Sequence, residues 1–265
     1  MKRVLVTGAS RGIGAATARV LADAGYEVIG TSRHPERIAD PPAGLRFLTL
    51  DVTDPRSVRS LIEEVGRVDI LINNAGVSQF GPAEEIPLDR IDHFIRLYLK
   101  GPIQLIQGFL PGMREARSGT IINITSMAGK VGVPFTSIYC AGKHGLEGFS
   151  KALRQEVRHC GVKVVTLAPS YVRTSIPMES HLLGDSPYRG PALHFRQTRD
   201  AMIAAGIEPE AVARLILHIL GQNHPAPSYT VGHNARIMSF FLRHLPQRVA
   251  EHIECVRFLG SSRSS

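Results

Sequence analysis

Two side chains that can exchange a proton stand four residues apart at the end of the segment Asn123–Lys143. If Tyr139 and Lys143 lie on a helix, this spacing places them on one face. A free phenol titrates near pH ~10, and an ammonium one turn away favours the phenolate, so we expect Lys143 to lower the pKa of Tyr139. Ser126, in the loop after an apolar run, can hold a substrate oxygen beside the phenol. These residues predict acid–base chemistry on an alcohol or a ketone.

This pair alone is weak evidence, because a surface tyrosine and a solvated lysine fall at the same spacing by chance. The start of the chain adds an independent signal. Arg3–Thr7 is short and Val-rich, as in a buried parallel strand, and Ala15–Ala24 has helical spacing. The glycines of the loop between them allow close approach to a pyrophosphate at a helix N-terminus. The predicted dinucleotide-binding residues of this loop are Gly8, Ser10, Arg11, Gly12, Ile13 and Gly14.

The end of the second predicted strand, Glu27–Arg33, indicates which dinucleotide is bound. A carboxylate at this point would hold the ribose hydroxyls of NAD, whereas a basic residue accommodates the 2′-phosphate of NADP. The tip reads Thr31-Ser32-Arg33 and carries no carboxylate. Arg11 in the glycine loop can reach the same phosphate. The alternative is two solvated surface arginines, and we predict NADP(H) in preference to NAD(H).

The alternation of strands and helices continues along the chain and predicts one α/β domain, 1–265, with a parallel sheet. The further predicted strands are Arg46–Leu50, Val68–Asn73, Gly119–Thr125, Val162–Leu167 and Ser228–Val231. The further predicted helices are 55–66, Pro87–Arg114, Thr136–Cys160 and Pro209–Leu220. The long helix contains Gly101-Pro102, and because proline removes a backbone hydrogen bond we expect a bend there.

Two segments depart from this alternation. In 175–206, Pro187, Gly190 and Pro191 separate short apolar pieces, which predicts an irregular substrate lid. The tail, 235–265, is predicted to be a C-terminal helical extension with two amphipathic pieces, 235–244 and 246–259. Their apolar faces must be covered by the substrate cleft, a second subunit or a membrane surface. The first two are favoured, because the chain has no lipidation motif.

The composition bounds the class of protein. The chain has 265 residues, 43% of them apolar, and no apolar run reaches the roughly 20 residues that span a bilayer. Cys140, Cys160 and Cys255 are widely spaced, so neither a disulfide framework nor a metal site is expected, and we predict a reducing cytosol. The net charge of +8 is spread along the chain. It predicts no nucleic-acid binding and fits a phosphate-rich cofactor or an acidic membrane surface equally well.

Six motifs stand in the order of one known family: the glycine loop, Asp51-Val52, Asn73-Asn-Ala-Gly76, Ser126, Tyr139-Cys-Ala-Gly-Lys143, and Pro169 with Thr174. Over positions 2 to about 231 the sequence resembles the short-chain dehydrogenases/reductases. The resemblance implies a doubly wound Rossmann sheet of about seven parallel strands with helices on both faces. It implies Tyr139 as general acid/base, Ser126 as the residue that orients the substrate, and Lys143 as a group that also binds the nicotinamide ribose. The further cofactor contacts that it implies are Asp51, Val52, Asn74, Ala75, Gly76, Pro169, Val172 and Thr174.

Two positions depart from the family pattern. Tyr98 stands where the family usually has an Asn whose backbone carbonyl holds a water in a proton relay, and Tyr98 keeps that carbonyl. Ser170 stands where the family mostly has Gly after Pro169, which places a hydroxyl close to the nicotinamide or the substrate.

The tail more loosely resembles the branch that includes 17β-hydroxysteroid and retinol dehydrogenases. That likeness implies a bulky, hydrophobic alcohol and its ketone or aldehyde, steroid-, retinoid- or terpenoid-like. The alternatives are a 3-oxoacyl-thioester reductase and a non-catalytic NADP(H)-binding regulatory protein. We expect a cytoplasmic homodimer or homotetramer, with peripheral membrane contact through the tail as the remaining alternative for that segment.

Overall fold

The structure is a computed structural model and describes residues 1–38, 44–232, 235 and 245–259. Strands and helices alternate along most of these ranges. The strands are β1 (Arg3–Val6), β2 (Glu27–Ser32), β3 (Leu45–Thr49), β4 (Ile70–Asn73), β5 (Ser78–Phe80), β6 (Gly119–Ile124), β7 (Val162–Pro169), β8 (Met178–Ser180) and β9 (Ser228–Val231). The helices are α1 (Gly12–Asp23), α2 (Pro55–Val65), α3 (Leu88–Ile95), α4 (Gly101–Glu115), α5 (Ser137–Glu156), α6 (Arg189–Ala204), α7 (Pro209–Leu220) and α8 (Gln247–Leu259).

The central sheet is parallel and doubly wound. Its seven strands lie in the order β3-β2-β1-β4-β6-β7-β9. In register, Leu5 of β1 lies between Ile29 of β2 and Leu71 of β4. The chain winds outward from β1 to β3 and then returns to β4 on the other side of β1. Because the strand order reverses there, the carboxyl ends of the strands border a crevice that suits a ligand. The predicted Rossmann-type fold is confirmed.

Helices cover both faces of the sheet, because its central strands carry apolar side chains on both faces. Alternate residues of β1 enter opposite layers. Val4 belongs to the apolar cluster that contains Leu21 of α1 and Ile216 of α7. Leu5 belongs to the cluster that contains Leu105 of α4. All five side chains are fully buried, and burial of each contributes roughly 1.5–3 kcal/mol. The two layers hold the sheet edge that carries the site.

The long helix predicted at Pro87–Arg114 is interrupted near the expected place. α3 ends at Ile95, a wide π turn spans Arg96–Lys100, and α4 begins at Gly101. The N–H of Gly101 donates to the carbonyl of Arg96, five residues earlier. The irregularity therefore lies directly before Gly101-Pro102 and takes the form of a π turn.

The prediction that 175–206 is irregular holds for 181–188 and is wrong for the rest of its second half. The segment contains β8, which pairs in parallel with β5, and the sixteen-residue helix α6. Gly190 and Pro191 do not interrupt this helix, because they lie in its first turn. The backbone N–H that proline lacks has no intrahelical partner at that point. Pairing of β8 with β5 depends on residues about 100 positions apart, a contact that local sequence patterns do not indicate.

The second predicted piece of the tail is helical, as expected, and forms α8. Phe258 of α8 is buried against Phe195 of α6, with ring centroids 5.2 Å apart. The outer face of α8 exposes three apolar side chains, Val249, Ile253 and Val256. The first predicted piece, 235–244, lies outside the described residues except at Ala235, which is buried. No helix in the described ranges is long and apolar enough to cross a membrane.

Candidate active site

The predicted site residues, all within the described ranges, meet along one cavity of about 1090 Å³ at the carboxyl edge of the sheet. They come from the loops that follow β1, β2, β3, β4, β6 and β7, and from α5. Gly14 is the one predicted residue that does not line it. The lining residues that the sequence predicts are Gly8, Ser10, Arg11, Gly12, Ile13, Arg33, Asp51, Val52, Asn74, Ala75, Gly76, Ser126, Tyr139, Lys143, Pro169, Val172 and Thr174.

The loop between β1 and α1 needs its glycines for two reasons. Gly8 and Gly12 have φ values of +66° and +55°, which side chains disfavour. A Cβ on Gly14 would overlap the carbonyl oxygen of Gly8, so Gly14 allows helix and strand to pack closely. Arg11 precedes α1, and its side chain makes no cap hydrogen bond. The N–H groups at the start of α1 therefore suit an anion.

Asn74, at the end of β4, holds this loop in place. Its Nδ2 donates to the carbonyls of Thr7 and Gly8, at 2.9 and 3.2 Å. The hydroxyl oxygen of Thr7 in turn accepts from the N–H groups of Asn74 and Ala75, at 2.9 and 3.0 Å. The open glycine cradle, held by these bonds, fits the pyrophosphate of a dinucleotide.

Basic side chains line the cavity near the end of β2. Arg11 and Arg33, the two arginines predicted to bind a 2′-phosphate, are exposed and line its wall. His34 and Arg37 line it too, and the sequence analysis missed them. Their only signal is that they follow Arg33 within one short turn. This end of the cavity suits a group with extra negative charge.

The acid–base residues come together as the spacing predicts. Tyr139 and Lys143 are one turn apart on α5. The Nζ of Lys143 donates to the carbonyl of Ile124 at 2.8 Å and lies 5.8 Å from the centroid of the Tyr139 ring. Ser126 begins the short turn after β6, where its oxygen accepts from the N–H of Ala128 at 3.1 Å. Its hydroxyl also hydrogen-bonds to the phenol of Tyr139, so the two groups lie side by side in the cavity.

The expected effect of Lys143 on the phenol is not found. Burial raises the pKa of Tyr139, because the phenolate is the charged form. The hydroxyl of Ser126 and the guanidinium of Arg199 lower this pKa, and Lys143 is not among the groups that shift it. The ammonium of Lys143 is bound to a carbonyl instead. Tyr139 is thus a neutral phenol that can give a proton.

A buried glutamate that the sequence analysis missed lies one turn beyond Lys143. The carboxylate of Glu147 accepts from the hydroxyls of Thr125 and Thr166, at 2.7 and 3.2 Å, and lies 3.5 Å from Nζ of Lys130. Burial lowers the pKa of Lys143 to about 8, and Glu147 opposes this by raising it. The sequence held a signal, since Tyr139, Lys143 and Glu147 repeat at every fourth position.

Tyr98 lies in the π turn and packs into the centre. Its hydroxyl donates to the carbonyl of Val77 at 3.1 Å, and its ring meets the Tyr139 ring edge-on at 5.1 Å. A Cβ on Gly142 would lie 2.6 Å from the Cβ of Tyr98, so only glycine fits beneath it. The ring of Tyr98 thus occupies the position of the family's Asn side chain and packs tightly against Tyr139 and Gly142.

For the far end of the cavity, the sequence analysis predicted only a lid, a tail and the hydroxyl of Ser170. Its apolar lining includes Val133, Phe195, Met202, Ile203 and Phe258. Its polar lining includes Ser170, Tyr171, Arg199, Glu254 and Arg257. These residues come from the loops after β6 and β7 and from α6 and α8, so no single stretch of sequence indicates that they meet. The cavity therefore has an end lined by the glycine loop, a centre that contains Ser126, Tyr139 and Lys143, and an end of mixed polarity.

A comparison with protein families bears on this arrangement. The sequence matches the family profile described as short chain dehydrogenase over residues 2–182. The chain is a short-chain dehydrogenase/reductase. It is accordingly an NAD(P)-dependent oxidoreductase.

Individual proteins agree with the assignment. The chain is 33% identical to 3-ketodihydrosphingosine reductase of Bacteroides thetaiotaomicron over 86% of its own length and 87% of the relative's. A short-chain dehydrogenase structure from Streptomyces avermitilis has a TM-score of 0.83 at 33% identity, covering 96% of this chain and 95% of that one. A metagenomic short-chain oxidoreductase in complex with NADP has a TM-score of 0.69 at 30% identity, covering 87% and 96%.

Proposed function

We propose that this short-chain dehydrogenase/reductase interconverts a bulky hydrophobic alcohol and its ketone or aldehyde with NADP(H). One observation carries the proposal. Ser126, Tyr139 and Lys143 line the same cavity as the glycine loop on one side and an apolar wall on the other. A substrate carbon beside the phenol is thus within the same enclosed space as the cofactor.

The residues of this chain handle the proton and the substrate oxygen. A nicotinamide dinucleotide supplies or accepts the hydride when it is bound. Tyr139 donates its phenolic proton to the substrate oxygen during reduction and takes it back during oxidation. Ser126 donates its hydroxyl proton to the same oxygen and fixes its position. Lys143, held by the carbonyl of Ile124, provides the positive charge of the centre and a donor for the cofactor ribose.

The preference for NADP(H) is supported by charge at the end of β2. Arg33 and Arg11 line the cavity, and β2 ends in Ser32 with no carboxylate to repel a 2′-phosphate. Charge-assisted hydrogen bonds from guanidinium groups bind such a phosphate well. The neighbouring structure in complex with NADP is consistent with this preference.

The hydrophobic substrate is supported by the far end of the cavity. Phe195 is fully buried beside Phe80, with stacked rings 6.0 Å apart, and beside Phe258. Such a wall favours an apolar body. The relative named 3-ketodihydrosphingosine reductase is, by its name, a reductase of a ketone.

The proposal extends to setting and assembly. Cys140, Cys160 and Cys255 are all free thiols, which supports a reducing cytosol. The resemblance to the family supports a homodimer or homotetramer, and sedimentation of the purified protein measures which one forms.

The direct experiment is a screen of NADPH oxidation by the purified protein against hydrophobic ketones and aldehydes. The proposal expects turnover with several bulky apolar ketones and weaker turnover with NADH. A 3-oxoacyl thioester belongs in the same screen, because turnover confined to it would favour the thioester reductase. Tight NADPH binding without turnover of any carbonyl compound would favour the regulatory alternative and contradict the proposal.

A further inference from the structure

The substrate end of the cavity carries charge as well as apolar surface. Arg199 of α6 lines it with Glu254 and Arg257 of α8 and with Tyr171. Glu254 is buried, and its carboxylate lies 3.6 Å from the guanidinium of Arg257. These two charges therefore largely cancel. The guanidinium of Arg257 also lies over the ring of Tyr171, 5.9 Å from its centroid.

Arg199 is a third charged residue at this end of the cavity, and it does not take part in the Glu254–Arg257 ion pair. Its side chain is only 13% exposed, and its carboxylate contact is with Asp200, at 3.2 Å and 54% exposed. Its guanidinium also donates to Ser78 at 2.8 Å and to the sulfur of Met178 at 3.5 Å. A guanidinium has five N–H groups, and contacts with the described residues engage three. Because the largely buried guanidinium of Arg199 is only partly neutralised and has N–H groups left to donate, it suits an incoming anion.

Arg199 also lies close to the reacting centre. Its charge is felt by the phenol of Tyr139, whose pKa it lowers. It donates to Ser78, which lines the cavity as well. An anion bound to Arg199 is therefore in the same chamber as a carbon that exchanges a hydride. The apolar wall formed by Phe195 and Phe258 adjoins it on α6 and α8.

We propose that Arg199 binds a carboxylate of the substrate, so that the physiological pair is an apolar hydroxy acid and its oxo acid. This inference rests on the proposed function and narrows its substrate class. Arg199 is a single cation whose carboxylate partner among the described residues, Asp200, is 54% exposed. It matches the single charge of a carboxylate better than the double charge of a phosphate. The planar guanidinium fork also matches the two oxygens of a carboxylate.

The test uses the full-length protein with NADPH and two matched sets of ketones. One set is octanoic acid with the ketone at successive positions from C3 to C7, and the other is the corresponding methyl esters. For at least one ketone position, kcat/KM for the acid should exceed that for its ester by roughly 10- to 100-fold, the size of a charge-assisted hydrogen bond. Arg199→Met should bring this acid-to-ester ratio close to one, because the loss of kcat/KM should be larger on the acid than on its ester.

Arg196→Met is the matched control. Arg196 lies on the same helix and is 48% exposed, and among the described residues its one ion pair is with Asp200. This variant should leave the acid-to-ester ratio unchanged. If wild type shows the same kcat/KM for the ester as for the acid at every ketone position, the proposal is overturned. Equal losses on acid and ester in Arg199→Met, with NADPH binding intact, would also overturn it and make Arg199 a support for β5 and β8.

Where Arg199→Met does not fold, Arg199→Gln replaces it, since the amide can still donate to Ser78 but carries no charge. Arg199→Gln should likewise bring the acid-to-ester ratio close to one, and an unchanged ratio in this variant would overturn the proposal. Reduction of neutral 4-octanone separates the two proposals. If wild type reduces 4-octanone and shows no preference for any acid, only the carboxylate assignment fails. If it reduces no ketone at all, the proposed function fails as well.

Discussion

Among single residues, Lys143 is the member of the centre whose charge changes in the neutral-to-alkaline range. Burial lowers its pKa to about 8, and the carboxylate of Glu147 raises it. Two further cations interact with the carboxylate of Glu147. Lys130 forms an ion pair with it, and Arg154 is attracted to it electrostatically. Below about pH 8 the ammonium predominates, and above it the amine. The protonation state of Lys143 thus depends on Glu147, which does not line the cavity.

We predict that kcat/KM for ketone reduction falls as the pH rises through about 8, because Lys143 then loses its charge. Glu147→Gln removes a carboxylate that raises this pKa, so the fall should move to lower pH. Glu156→Gln, at the exposed end of α5, is the control and should leave it in place. The measurement is kcat/KM over roughly pH 6 to 10. An unmoved alkaline limb in Glu147→Gln would contradict the assignment.

A second residue-scale prediction concerns Tyr98. Tyr98→Phe removes the hydrogen bond to Val77 but keeps the ring against Tyr139 and the backbone carbonyl. Turnover should stay within about threefold of wild type, while urea unfolding should show a loss of ~0.5–1.5 kcal/mol, since the partly buried carbonyl of Val77 loses its donor. A large fall in kcat with unchanged stability would instead place the hydroxyl in the reaction.

These residues show how far the sequence alone leads. The glycine loop, Asn74, Ser126, Tyr139 and Lys143 could be predicted, because each stands at a fixed distance from its own strand or helix. The raised pKa of Tyr139 and the position of Arg199 could not. Both depend on burial and on which face of α6 meets the cavity, and these follow from packing between distant segments.

Among the secondary-structure elements, we expect the end of β2 to determine whether NADP(H) or NAD(H) is preferred. We predict that Arg33→Asp lowers kcat/KM with NADPH by roughly 10- to 100-fold, because a charge-assisted bond is lost and a repulsive charge is gained. Preference should shift towards NADH. Arg59→Asp on α2, an exposed position away from the cavity, makes the same change in net charge and should have little effect. Equal kcat/KM for the two cofactors in wild type would refute the prediction.

The helix α8 is predicted to form part of the substrate wall. Phe258→Ala removes a buried ring that packs on Phe195, and such a change typically costs ~3–5 kcal/mol of local packing. KM for an apolar ketone should rise at least about tenfold, with NADPH affinity unchanged. Val249→Ala, on the exposed face of α8, should leave KM unaltered. A normal KM in Phe258→Ala would show that α8 does not contact substrate.

The elements of the sheet and its flanking helices could be predicted, since their apolar periodicity and turn residues are local. α6 could not, because Gly190 and Pro191 look like breakers unless their place in the first turn is known. β5 and β8 have three residues each, and pairing across the chain makes them strands. The lid is therefore more ordered than its composition indicates.

At the scale of the whole molecule, one reversal of strand order brings the separate parts of the site together. The crevice between β1 and β4 receives the glycine loop from one half of the sheet and the acid–base centre from the other. Aromatic side chains of α6 and α8 then pack at the far end. The cavity as a whole thus has the parts that the proposed hydride exchange with an apolar substrate needs.

The central claim is that Tyr139 moves the proton in this exchange. The decisive measurement compares kcat of wild type and Tyr139→Phe on a ketone identified by the NADPH screen, with NADPH affinity determined for both. We predict that kcat falls by roughly 10²–10⁴-fold, the usual contribution of a general acid, while NADPH affinity stays within about threefold. Near-normal kcat in Tyr139→Phe would contradict the account and place the proton donor elsewhere in the cavity.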